Sequence, residues 1–303
     1  MDIQMQSGAA KTALLFGDWH AAIVGEVVDD RGAATVAFAK EHAGIVHTLT
    51  YDARSFQVTF DHSQLPAEDM DCVIAGLPWQ SLLLETTTLG FVEILLSCRA
   101  VCQLGKCRLN LLYTEPAQYN RPQHGRVLHR RDFDLSNEVE DFSGVPGSAF
   151  MLREDCPTRA VFLVGYEGQR LEQALEQTAI RPSKCTIIFG VPAFRPGWEM
   201  DAFANNVSVM QERQLARGGV LFAGAQNPAA AYRAIDRVSR SCDPGERLLI
   251  GAIGTKPHGI GAALFACEHP DVGVVYDHPK RSKGRSAEIG SWHLFQIQYG
   301  DKP

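Results

Sequence analysis

No apolar run in the 303-residue chain reaches the roughly 20 residues that a membrane-crossing helix needs. The first residues, Met1-Asp2-Ile3-Gln4-Met5-Gln6, lack the basic-then-apolar order of a secretion signal. A cytoplasmic setting without a membrane is therefore expected. Excess positive charge is missing too: 29 Lys and Arg against 35 Asp and Glu leave a formal charge of −6. That excludes a nucleic-acid coat working through overall charge, while leaving room for a local basic patch. None of the 8 cysteines forms a C-x-x-C pair. Cys98, Cys102 and Cys107 lie closest together, and no neighbouring His, Asp or fourth Cys completes a zinc set. No metal and no cofactor is expected, and the thiols read as reduced core residues.

What is present is alternation. Thr12–Phe16, Ile45–Thr50, Cys72–Ala75 and Leu109–Tyr113 read as buried strands, as do Ala160–Val164, Cys185–Phe189, Val220–Ala223, Leu248–Gly251 and Val272–Tyr276. Helix-length segments lie between them: Gly32–His42, Phe91–Gln103, Leu171–Thr178, Ala229–Ser239 and Ile260–Cys267. A last strand is expected at Trp292–Ile297. Apolar strands alternating with helices imply crossover connections and mainly parallel, helix-covered sheets, an α/β class.

The two halves also echo each other. Thr86–Cys98 (T-T-T-L-G-F-V-E-I-L-L-S-C) lies over Thr255–Cys267 (T-K-P-H-G-I-G-A-A-L-F-A-C) without a gap. Each is followed by a strand closing on a similar phrase, L-L-Y-T-E-P at Leu111–Pro116 and V-V-Y-D-H-P at Val274–Pro279. Ala13–His20 similarly resembles Val161–Gly168. Glycine and proline at Phe142–Ser148 mark a seam. The expectation is two Rossmann-like halves, 1–147 and 148–303, packed as an internal pseudo-dimer.

The most loaded segment is Gly251–Ala263, G-A-I-G-T-K-P-H-G-I-G-A-A. A strand runs into Gly254-Thr255-Lys256, and a helix starts near Pro257, a residue tolerated in a first turn. Unpaired amides and the helix dipole at such a turn favour an anion. Gly254 and Gly259 permit close approach, Thr255 can cap, Lys256 adds a charge and His258 a pH-dependent donor. The string is neither a Walker A loop nor G-x-G-x-x-G. A phosphate or carboxylate ligand at the C-terminal edge of a parallel sheet is expected, with a plain helix cap as the alternative. Gly165 and Arg170, after the first strand of the second half, are further candidate contacts. So are Lys280 and Arg281 in the basic run Asp277–Arg285, which reads equally well as a solvated loop. Gly190–Glu199 is a stiff aromatic loop suited to a lid, a stacking platform or a partner contact, and Asn227 is a candidate helix cap.

Gly254-Thr255-Lys256 and the apolar helix behind them resemble the strand-turn-helix of CARF domains, Rossmann-like sensors of cyclic oligonucleotides in bacterial antiviral defence. Pro257 and His258 depart from that pattern, and Ala252-Ile253 stands where the family has Thr-Gly. The doubled arrangement is similar to SAVED domains, which look like two fused CARF units, although the first-half copy lacks the lysine. The resemblance implies a nucleotide-type sensor. With no residues left over for an effector, it would signal to a separate protein. An enzyme acting on a phosphorylated small molecule, with His258 as general acid and Lys256 stabilising phosphoryl charge, stays open. So do a purely structural subunit and a homodimer.

Overall fold

The computed structural model describes residues 1–77, 80–105, 108–119, 136–138, 141–152, 156–281 and 286–299. The elements run β1 (Asp2–Gly8), β2 (Trp19–Val24), α1 (Asp30–His42), β3 (Ala43–Asp52), β4 (Gln57–Phe60), β5 (Ser63–Pro66), α2 (Met70–Gly76), β6 (Ser81–Glu85), α3 (Phe91–Leu104) and β7 (Arg108–Tyr119). They continue with β8 (Ser136–Glu138), β9 (Ser143–Gly144), β10 (Thr158–Val164), α4 (Gly168–Thr178), β11 (Cys185–Gly190), α5 (Trp198–Glu212), β12 (Val220–Ala223), α6 (Pro228–Ser239), β13 (Arg247–Ala252), α7 (Lys256–Glu268), β14 (Gly273–Tyr276), β15 (Lys280–Arg281) and β16 (Ser286–Gln298).

The protein is α/β, in two compact units. Unit 1 comprises Met1–Asn120 with Ser286–Pro303, and unit 2 comprises Arg121–Arg285. This corrects the expected division at 147/148. β16 lies between β1 and β7 in the first sheet, so the C-terminal strand belongs to unit 1, while β9 pairs with β14 in unit 2.

Unit 2 carries five parallel strands in the order β12-β11-β10-β13-β14, with β9 added antiparallel. Its strands are apolar runs because helices cover the sheet. Phe162, Phe189, Leu249 and Ile253 are buried with Leu171, Ala174 and Leu175 of α4, whose three- and four-residue spacing makes one apolar stripe. In α7 nearly every residue is buried. At Gly261 an added Cβ would stand 2.5 Å from the Pro228 carbonyl oxygen and 2.8 Å from Ala231 Cβ, so glycine there lets α6 and α7 nearly touch.

The sheet of unit 1 is mixed rather than mainly parallel. Only β3-β2-β6-β7 are parallel, while β4 and β5 on one side and β16 and β1 on the other are antiparallel. β3, β4 and β5 follow one another as hairpins, which need short turns and no crossover helix. The parallel strands of both units share one order, β3-β2-β6-β7 matching β11-β10-β13-β14.

The ungapped match of Thr86–Cys98 with Thr255–Cys267 does not survive in three dimensions. Leu84 pairs with Ile23 and Ala252 with Leu163, yet α3 begins seven residues beyond Leu84 and α7 only four beyond Ala252. Ala13–His20 is also not the counterpart of β10: Lys11–Ala13 forms a single 3-10 turn and β2 starts at Trp19. The strand that holds the place of β10 in the first sheet is β2, which like β10 runs into a glycine, Gly25 against Gly165. Asp18 and His20 therefore lie at the amino end of β2, away from the edge at which such sheets bind ligands. Cys72–Ala75, expected as a strand, is part of α2, which buries Met70 and Ile74 one turn apart.

Candidate functional site

In unit 2 the strand order reverses between β10 and β13, one connection leading to β11 and the other, later, to β13 and β14. Outside the carboxyl ends of the strands at such a point the two chains diverge, which leaves a crevice in open α/β sheets. Gly165 and Gly254 leave these two strands side by side. A Cβ on Gly165 would meet Gly254 Cα at 3.4 Å, and one on Gly254 would meet the Val164 carbonyl oxygen at 2.9 Å. Gly254, Thr255, Lys256, His258, Gly165 and Arg170 thus share one edge of one sheet.

The expected anion cradle at α7 is largely occupied by the protein itself. Thr255 is the N-cap: its Oγ1 accepts from the His258 amide at 3.4 Å and donates to the Ala225 carbonyl at 2.7 Å. The Gly259 amide bonds the Thr255 carbonyl at 3.0 Å, and Pro257 has no amide hydrogen to offer. Gly259 is buried within the helix rather than facing the edge. Lys256, the first helical residue, is partly exposed.

Arg170 is not a free ligand contact. Its Nε and Nη2 form a fork on the two oxygens of Asp277, at 2.5 and 2.6 Å, and its Nη1 donates to the Ile253 carbonyl at 3.1 Å and to Glu167 at 3.3 Å. Burial works against the guanidinium charge, but the hydrogen bonds and charge of Asp277 outweigh it and raise its pKa above the ordinary value. The pair locks α4 to the ends of β13 and β14.

His258, expected as a general acid if the protein is an enzyme, cannot fill that role as placed. The ring is 0% exposed. Burial pushes its pKa down to about 4, while the carbonyls of Ala223 and Gly224 pull weakly the other way. Nε2 lies 3.2 Å from both carbonyl oxygens. It therefore carries the ring's one proton and donates it there, which leaves no acidic proton at neutral pH.

The other nitrogen matters more. His258 Nδ1 is buried without a hydrogen-bond partner, as are Asn206 Oδ1 and Gln226 Oε1. Asn206 reaches the same edge from α5, where its Nδ2 donates to the Gly165 and Ala202 carbonyls, each at 2.8 Å. Gln226 lies in the turn between β12 and α6, beside the expected cap Asn227, which accepts from the Ala230 amide at 2.9 Å. All three orphaned atoms are acceptors, so they match hydroxyl and amino hydrogens rather than phosphate oxygens.

The loop Gly190–Glu199 starts at this edge as well. Tyr166 meets Trp198 edge-on at 6.4 Å between ring centres, and the Arg195 guanidinium stands 5.8 Å over the Trp198 ring. Lys280 and Arg281 form β15 against β8. The rest of the basic run, 282–285, lies outside the described residues.

Sequence reasoning missed Asn206, Gln226 and Asp277. The one available signal was Asn205-Asn206 inside a helix, where asparagine is a poor helix former and earns its place by side-chain bonding. Among the described residues no group of three His, Cys, Asp or Glu is set to hold a metal ion, and no helix is long and apolar enough to cross a membrane. The chain matches no family model, and no curated protein and no solved structure matches it.

Proposed function

We propose that unit 2 binds a nucleotide-type ligand at the carboxyl edge of its sheet and acts as a sensor, passing its state to a separate effector, as the CARF and SAVED resemblance implies. The observation that carries this reading is that three buried, unpartnered acceptors, His258 Nδ1, Asn206 Oδ1 and Gln226 Oε1, belong to residues at the carboxyl end of this one sheet. A sugar or base would supply the hydrogens these acceptors lack. Lys256 would meet a phosphate, and the Tyr166–Trp198–Arg195 group would offer a face for stacking. A role in bacterial antiviral defence is part of the same proposal, as is descent of the two units by duplication into an internal pseudo-dimer, which the shared strand order supports. The hydrolytic reading loses its acid at His258.

A thermal-shift and calorimetry panel of inorganic phosphate, nucleosides, nucleoside monophosphates and cyclic oligonucleotides tests the proposal. A ligand at a hundred times its Kd stabilises by about 2.7 kcal/mol, a shift of several degrees. Lys256→Ala should weaken phosphate-bearing ligands about tenfold while leaving the nucleoside unchanged, the loss expected of one partly exposed charge contact. A panel without a single shift, or equal affinity in the variant, refutes the assignment.

A further inference from the structure

Unit 1 holds a second polar constellation, built across three adjacent strands. Ser7 of β1 pairs with His293 of β16, which pairs in turn with Tyr113 of β7. Strand alternation puts Glu115, two residues beyond Tyr113, on the same face. Ser7 Oγ lies 2.7 Å from His293 Nδ1, and His293 Nε2 lies 3.3 Å from Glu115 Oε2. We propose that Ser7, His293 and Glu115 form a nucleophile, base and orienting carboxylate able to take an acyl group from small, activated esters.

The protonation pattern follows from the partners. Glu115 is half-buried; burial raises its pKa, but the bonds from His293 and from Ser291 more than offset this and hold it below the usual carboxylate range. A charged carboxylate only accepts, so His293 Nε2 carries the proton and Nδ1 presents its lone pair to the Ser7 hydroxyl. A general base needs that tautomer. The ring is held in place by stacking on Tyr113 and Phe295, each with centroids 6.1 Å away.

The backbone is shaped around the carboxylate. The β16–β7 ladder is irregular between Ile289 and Trp292, and a Cβ on Gly290 would stand 2.7 Å from Glu115 Cγ. The bulge also brings the Ser291 amide to 3.2 Å from Glu115 Oε1. Bulges re-aim side chains in this way beside active sites. Ser7 itself is exposed, and Met5, exposed two residues along the same face, offers apolar ground for a short acyl chain.

In the proposed reaction Ser7 Oγ attacks the ester carbonyl carbon and its proton passes to His293 Nδ1. The bond to the leaving alcohol breaks as that proton is delivered to it. Water then attacks the acyl-serine, giving its proton to His293, and releases the acid with Ser7 restored.

The test is labelling of the full chain with a fluorophosphonate probe, the adduct located by peptide mass spectrometry, alongside turnover of p-nitrophenyl acetate. One equivalent on Ser7 is expected, with none in Ser7→Ala. Labelling should slow about a hundredfold in His293→Gln, the usual worth of a positioned base. Glu115→Gln should slow it as well and Glu115→Asp should restore part of the rate, a pattern that a merely structural carboxylate would not give. Should His293→Gln fail to fold, the near-isosteric Glu115→Gln supplies the same comparison. Absence of a Ser7 adduct, or a folded base or carboxylate variant that labels as fast as the parent, overturns the proposal.

Discussion

Replacing His258 by glutamine should flatten the acid side of the protein's stability curve. The ring is neutral when folded, with a pKa near 4 against 6.5 for the ordinary side chain. Above pH 6.5 both folded and unfolded chains hold it neutral, and it confers no pH dependence. As pH falls from 6.5 towards 4 the unfolded chain takes up a proton that the folded chain refuses, so stability is lost across that window. At pH 5 this linkage amounts to about 2 kcal/mol, the difference between nearly complete protonation unfolded and about a tenth folded. With a urea slope of roughly 2 kcal/mol/M, the midpoint should fall about 1 M further between pH 7.5 and 5 in the parent than in His258→Gln. Glutamine can still donate to the Ala223 and Gly224 carbonyls and has no charge to gain. Other titrating groups contribute to both proteins and cancel in the comparison. Equal midpoint shifts in the two proteins would show that His258 is solvated or already partnered in solution, and the account of the edge built on its buried Nδ1 would fail with it.

Two further outcomes follow from packing. Arg170→Lys cannot reproduce the fork on Asp277 and leaves a buried carboxylate poorly paired, so urea denaturation should show a loss of about 3 kcal/mol or more; a loss below about 1 kcal/mol would mean the pair is solvated. Gly261→Ala forces α6 from α7 and should cost about 1–3 kcal/mol in the same assay, whereas Gly76→Ala, with nothing within 4 Å of the new methyl, should leave the midpoint nearly unchanged. Equal midpoints for both alanine variants would refute the close helix contact.

The parallel strands of unit 2 were legible because each is a short, apolar run rich in β-branched or aromatic residues, bounded by glycine or a polar turn. Unit 1 was harder. In Ser81–Glu85 the run of leucines fits helix as well as strand, and Trp19–Val24 has two small alanines that carry little periodic signal. Conversely, Val73-Ile74 favours strand locally, but burial of Met70 with Ile74 folds it as helix. The destination of Ser286–Gln298 depends on pairing across nearly the whole chain, which no local pattern reports. At the candidate site, the sequence singled out Gly165, Gly254 and Lys256, which the fold brings to one sheet edge. It overvalued Arg170 and His258, since a charge or an imidazole looks equally available before its internal partners are known. The serine, histidine and glutamate of unit 1 carry no motif at all, because strands distant in sequence bring them together.

The place of β16 has a consequence for synthesis. A ribosome delivers β1 and β7 long before the strand that must slot between them, with all of unit 2 emerging in the interval. Both waiting strands offer unsatisfied backbone edges to any passing chain until β16 has been made. Closure of the first sheet thus waits on a strand made only after the whole of unit 2.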